Sequence, residues 1–70
     1  MMPLSLASVG DVNIIKQVSG KDEVRQHLAE LGFVAGAEVT VVSELDGSLI
    51  LSVKESRVAL DKAMAMRIMV

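Results

Sequence analysis

Apolar and polar positions alternate with two different periods along this chain, and the change of period marks its elements. From Val24 to Gly36 the residues read Val-Arg-Gln-His-Leu-Ala-Glu-Leu-Gly-Phe-Val-Ala-Gly. Val24, Leu28 and Leu31 recur at the spacing that stacks side chains on one face of a helix, while Arg25, Gln26 and Glu30 fall elsewhere on the wheel. Asp22 and Glu23 stand in the first turn, where carboxylates interact well with the helix dipole. Ser19, just after a strand-like run and before Gly20, is the expected N-cap. Gly32 is the expected stop, because a residue without Cβ reaches positive φ cheaply. With Gly32 at C′, Phe33 becomes C″ and Leu28 becomes C3, a pair whose apolar contact seals such endings.

Elsewhere the period is two. Val12 to Val18 reads as a first strand, with Val12, Ile14 and Val18 on one parity, Asn13, Ile15 and Gln17 on the other, and a break or bulge at Lys16. Val9-Gly10-Asp11 before it is a turn, and Leu4 and Leu6 earlier still are placed to tuck against the core. Glu38 to Glu44 puts Val39 and Val41 on one face and Thr40, Val42 and Glu44 on the other. Asp46-Gly47 is a strong hairpin signal, and Leu49, Leu51 and Val53 resume the alternation as the second strand of an antiparallel pair. Lys54-Glu55-Ser56 makes another tight connection into Arg57 to Leu60, with Val58 and Leu60 inward. Asp61 then caps one turn through Lys62–Ala65, and Arg67 to Val70 closes the chain as a last strand. Five short antiparallel strands with one interposed helix predict a mainly β fold, a small closed barrel over residues 1–70. Closure would remove the sheet edges that a small aliphatic sheet tolerates poorly.

Composition sharpens this picture. The chain has 70 residues, 51% of them hydrophobic, and its only aromatic residue is Phe33. The core is therefore aliphatic and rich in β-branched residues, with Phe33 as its expected anchor. There is no cysteine, so neither a disulfide nor a thiolate metal site supports the fold. The net charge is −2 and the seven basic residues are scattered from Lys16 to Arg67, which argues against nucleic-acid binding. An RNA-binding small barrel would also need stacking aromatics and a basic face. The start, Met-Met-Pro-Leu-Ser-Leu, does not read as a signal peptide, and no apolar run approaches the roughly 18 residues of a membrane span. A soluble protein is expected, reaching a membrane only through a partner.

Candidate chemistry is sparse. His27 is the only histidine, with Glu23 four residues before it and Glu30 three after, a spacing that aligns all three on one helix face. One histidine does not make a two-His, one-carboxylate iron site, so a boundary histidine beside two solvated glutamates is the favoured reading. Met64, Met66 and Met69 offer thioethers, but methionines straddling a turn and a strand are favoured as soft core filler over a copper site. No serine sits in a Gly-x-Ser-x-Gly elbow, and the five glycines are spread one per turn rather than gathered into a phosphate-binding loop. No catalytic residue, metal ligand or cofactor is assigned, and an enzyme is not expected.

The order Arg25-x-x-Leu28-Ala29-x-Leu31-Gly32-Phe33-x-x-Gly36-x-x-Val39, followed by Val58-Ala59-Leu60 and Ala65-x-x-Ile68-x-Val70, resembles the FeoA family over nearly the whole chain. Ala35 departs from that pattern, which commonly has proline before the turn glycine. The resemblance implies an SH3-like barrel and a cytoplasmic accessory protein of bacterial ferrous iron uptake. Its implied partner is FeoB, a large membrane permease with a cytosolic GTP-binding domain. The resemblance implies no enzymatic activity and no metal site. A second resemblance, to the carboxy-terminal domain of iron-dependent DNA-binding repressors, implies instead a detached regulatory module.

Binding to a partner calls for apolar residues left over once the core is filled. Leu45 at the Asp-Gly hairpin, Ile50 on the opposite parity from Leu49 and Leu51, and Val34 beside the turn are the expected contact residues. The competing role for Val42 and Ile50 is to cover the second face of the barrel against the helix; it is favoured for Val42 and left open for Ile50. Homo-oligomerisation is also left open, since Met and Leu side chains seal a dimer as readily as a core.

Overall fold

In the computed structural model, which describes residues 1–70, the helix forms over Asp22–Glu30 (α1) and ends as its sequence requires. Gly32 takes φ +105°, the Phe33 N–H donates to the Leu28 carbonyl (2.9 Å), and the Gly32 N–H donates to Ala29 (3.0 Å). These two bonds are the Schellman ending, and both Leu28 and Phe33 are buried beneath it. The N-terminus differs from expectation. Lys21 is the N-cap and supplies no side-chain bond, while the Ser19 hydroxyl donates to the Arg67 carbonyl instead. Gly20, at φ +113°, is not helical, so the helix starts too late for Ser19 to cap it. Asp22 and Glu23 remain in the first turn.

The first strand divides. Val12–Ile14 (β1) runs antiparallel to Glu38–Leu45 (β3), whereas Gln17–Val18 (β2) runs antiparallel to Ile68–Met69 (β6). Between them Ile15 is buried and held on both sides of its peptide, its N–H on Ala37 and its carbonyl on Gly36. The break at Lys16 is thus a change of sheet, not a bulge, and it splits the expected parity: Ile15 points into the core and Val18 packs against it, while Val12 and Ile14 are exposed.

Ser48–Val53 (β4) and Ser56–Asp61 (β5) complete a four-stranded antiparallel sheet in the order β1-β3-β4-β5. β2 and β6 form a second, two-stranded sheet, and Met2 bonds to Val70 along the other side of β6. The five expected strand segments are all present, but the hydrogen-bonded ladders do not close into a full circle. A short helix, Lys62–Ala65 (α2), intervenes between β5 and β6, with the Asp61 carboxylate accepting from the Met64 N–H (2.8 Å) as its cap. Leu4 is fully buried, but Leu6, two residues along a single 3-10 turn, faces solvent, contrary to expectation.

The turn between β3 and β4 has positive φ at both Asp46 (+49°) and Gly47 (+80°), the type I′ geometry whose twist matches the flanking strands. It fixes the register Leu45↔Ser48, Glu44↔Leu49, Ser43↔Ile50. Further along, Val41 pairs with Leu51, so Val42 is an extra residue, a β-bulge. The bulge reverses the alternation of β3. Glu44, not Leu45, therefore lies on the side of buried Leu49, at the rim of the core, where it pairs with Lys62 (2.6 Å). Across β4, Leu49 faces Leu60 and Leu51 faces Val58, both inward as expected.

Opposite buried Val39, β1 contributes Asn13, whose side-chain nitrogen is buried with no hydrogen-bond partner. A buried donor without a partner keeps its desolvation cost and recovers nothing. Asn13→Val, nearly equal in size and better suited to a strand, is expected to raise stability by about 1 kcal/mol in urea unfolding. A destabilised variant would show that the amide is satisfied in solution.

Candidate protein-docking surface

The register decides which side chains the four-stranded sheet turns away from its core. Residues paired across a ladder share a face, so Ile50 stands between Ser43 on β3 and Ala59 on β5, and Leu45 stands beside Ser48 and Asp61. One row further, Thr40 joins Val12 to Ser52 and Arg57. On this outer face the middle strands carry no charge from Thr40 to Leu45 or from Ser48 to Ser52, and Glu38 at the start of β3 is their one charged residue there. The polar groups of those stretches are the hydroxyls of Thr40, Ser43, Ser48 and Ser52, and charge enters only at the borders, with Glu38 beside Ile14 and with Arg57 and Asp61 on β5.

Leu45 is 64% exposed, Val12 58% and Ile14 50%. Ile50 and Val42 are half-buried by their strand neighbours, yet neither is among the residues packed against the core. The role of covering a second face against the helix therefore fits neither. Val42 owes its position to the bulge, which turns an extra side chain out of the regular alternation. Val12 and Ile14 belong to the same face and were missed in the sequence because Ile14-Ile15 is apolar at both parities.

Val34 lies elsewhere. It is 39% exposed and lines an open groove of about 370 Å³ between α1 and the segment Phe33–Ala35, together with Val18, Ala29 and Arg25. Arg25 is tied to Asp22 at the rim of that groove. The structure thus brings Leu45 and Ile50 onto one sheet face and places Val34 in a separate depression.

Glu23, His27 and Glu30 are all exposed on α1, and no three His, Asp or Glu side chains anywhere in the structure come together as a metal-holding group. The methionines diverge: Met64 packs against the core, Met66 faces solvent, and Met69 is half-buried in β6. Core filler thus describes Met64 alone, and Met66, facing solvent, departs from that expectation. No helix is long and apolar enough to cross a membrane.

Comparison with known proteins gives this surface a setting. A family model described as the FeoA domain matches residues 2–70. A Methanocaldococcus jannaschii protein named as an Fe(2+) transport protein A is 33% identical over 70 residues, covering all of this chain and 85% of that protein. The crystal structure of an iron uptake regulatory protein (FeoA) superimposes with a TM-score of 0.88 at 34% identity, over 96% of this chain and 89% of that one. Stenotrophomonas maltophilia FeoA complexed with zinc, described as a prokaryotic SH3 domain protein, gives a TM-score of 0.87 at 29% identity, over 99% and 88%. The open, small antiparallel fold is accordingly SH3-like. A manganese-dependent transcriptional repressor shares that fold alone, with 19% identity and a TM-score of 0.84 over 94% of this chain and 38% of its own. With a family model matched from Met2 to Val70 and a relative 33% identical over all 70 residues of this chain, the chain belongs to the FeoA domain family.

Proposed function

We propose that the protein is a cytoplasmic accessory factor of ferrous iron uptake, a single docking domain that binds a FeoB-type GTP-binding permease through the outer face of its four-stranded sheet. The observation that carries this reading is the outward placement of Leu45, Ile50 and Val12, on successive rows of one sheet face. These apolar side chains stand on a rigid sheet, are interspersed with hydroxyls, and do not pack against the core. Apolar groups bordered by charge suit a modest, reversible protein contact. Val34, in its separate groove, is a second contact point in this reading. The family setting names ferrous iron transport, which makes a component of the transport system the fitting partner.

The test is affinity capture of the tagged protein from detergent extracts of its own cells, with identification of what accompanies it. Recovery of a large polytopic GTP-binding permease is the expected result. Leu45→Ser is then expected to weaken that binding roughly tenfold, the loss of one well-buried interface anchor. Because Leu45 makes no core contact, its melting temperature is expected to stay within about a degree or two of the parent's. A large fall in melting temperature would place Leu45 in the core, and unchanged binding would remove it from the interface. Capture of soluble regulators alone would favour the detached regulatory module, whose fold the repressor shares.

A further inference from the structure

β5 is an open edge, and its residues are arranged to pair with themselves. It lies at the end of the four-stranded sheet, and no turn, loop or cap contributes a backbone hydrogen bond to Arg57 or Ala59. The two-residue turn after Val53 makes Val53↔Ser56 a hydrogen-bonded pair, and the alternation of an antiparallel ladder then assigns Val58 and Leu60 to β4 as well. The N–H groups of Arg57, Ala59 and Asp61, and the carbonyls of Arg57 and Ala59, are left pointing outward. Edge strands are ordinarily blunted by proline, a bulge or charge, and of these Ser56–Asp61 has only the outward charges of Arg57 and Asp61, which are opposite in sign.

We infer that β5 pairs antiparallel with β5 of a second copy of this chain, about a two-fold axis through Ala59. In that register Ala59 meets Ala59, and Arg57 of each copy meets Asp61 of the other. The Ala59 N–H of each copy donates to the Ala59 carbonyl of the other and the Asp61 N–H to the Arg57 carbonyl, four bonds in all. The Asp61 carbonyl turns into α2, so the Arg57 N–H stays open to solvent at each end of the ladder. Arg57, Ala59 and Asp61 are exposed and share the outer face, so each guanidinium lies directly across from a carboxylate. Sliding by one pairing step, two residues, in either direction moves the axis to Val58 or Leu60, sets Arg57 or Asp61 against Ala59, and loses both opposite-charge pairs. Charge therefore selects one register, and the small side chain of Ala59 permits close approach at the axis. The Asp61 carboxylate caps α2 with Oδ1, which leaves Oδ2 for the partner arginine. The product is a continuous eight-stranded sheet, with the outer faces of both copies still open.

This inference is independent of the permease reading, because its test measures mass rather than capture. Sedimentation equilibrium of the intact protein from micromolar to near-millimolar concentration is expected to show an average mass rising from 7.5 kDa toward twice that value. Arg57→Glu sets like charges opposite each other at both pairs and is expected to weaken association roughly tenfold with an unchanged melting temperature. The chain has no cysteine, so Ala59→Cys introduces a unique thiol. Facing α-carbons in a hydrogen-bonded pair lie about 5.5 Å apart, within reach of a disulfide. Mild oxidation is expected to convert Ala59→Cys to covalent dimer far faster than Ala63→Cys, whose site on α2 is off the axis. A mass fixed at 7.5 kDa throughout, or dimers insensitive to Arg57→Glu with equal cross-linking at both cysteines, would overturn the inference.

Discussion

Phe33→Ala is expected to leave the protein largely unfolded at room temperature. Phe33 is the largest of the fully buried side chains and the only aromatic in the core, and the remaining core residues are aliphatic. Truncating a buried phenylalanine costs about 3–5 kcal/mol, the lost transfer energy plus the cavity left behind. A single small core of this size supplies about 3–5 kcal/mol in total, so the loss is comparable with the whole stability. Collapse around the vacancy is restricted on two sides. Phe33 is pinned by its own N–H to the Leu28 carbonyl, and Leu28 is itself fully buried. Urea unfolding followed by far-ultraviolet circular dichroism measures the effect. Phe33→Leu, which keeps most of the volume, is expected to cost less than about 1.5 kcal/mol and to retain a cooperative transition. An alanine variant within about 1 kcal/mol of the parent would show that the site closes over the cavity, contrary to this account.

Gly32→Val is the second large effect expected, a loss of about 2–3 kcal/mol. At φ +105° a side chain is strained whatever space surrounds it, and a β-branched one most of all. A Cβ at Gly32 would stand 3.4 Å from a methyl of buried Val53, so the two further methyls of valine must press into β4. Gly36 offers the comparison. Its φ is +90°, but nothing lies within 4 Å of a Cβ there, so Gly36→Val incurs the backbone strain without the crowding. The difference between the two midpoints isolates packing from strain. Equal losses at both positions would mean that Val53 moves aside freely.

The features legible in the sequence were the ones settled within a few residues. The helix ending was readable because Leu28, Gly32 and Phe33 are joined by local bonds, and the β3–β4 turn because Asp46-Gly47 suits positive φ at both centres. Strand faces were readable where apolar and polar residues truly alternate, as along Leu49, Leu51 and Val53. They were not readable where two apolar residues adjoin. Ile14-Ile15 hid the change of sheet, and Val41-Val42 hid the bulge, because either neighbour satisfies an inward parity. The open circle of the sheets depends on α2 and on bonds between distant segments, which local pattern does not encode. For the proposed docking surface, Leu45 and Ile50 stood out as apolar residues in excess of the core's needs. Val12 and Ile14 did not, since their exposure follows from the same hidden parity. The self-complementary spacing of Arg57 and Asp61 gains meaning only once β5 is known to be an edge.

The bulge at Val42 has a further consequence, for length variation within the family. Because the type I′ turn sets the register from the far end of the hairpin, Leu45 faces outward whether or not an extra residue sits at position 42. Deleting Val42 would restore regular pairing and leave Ser43, Glu44 and Leu45 opposite their present neighbours. The strand thus contains slack at that point, where single-residue gains and losses leave the outward setting of Leu45 untouched. Equivalent positions in relatives of different length are therefore to be counted backward from the Asp46-Gly47 turn, not forward from the start of the strand.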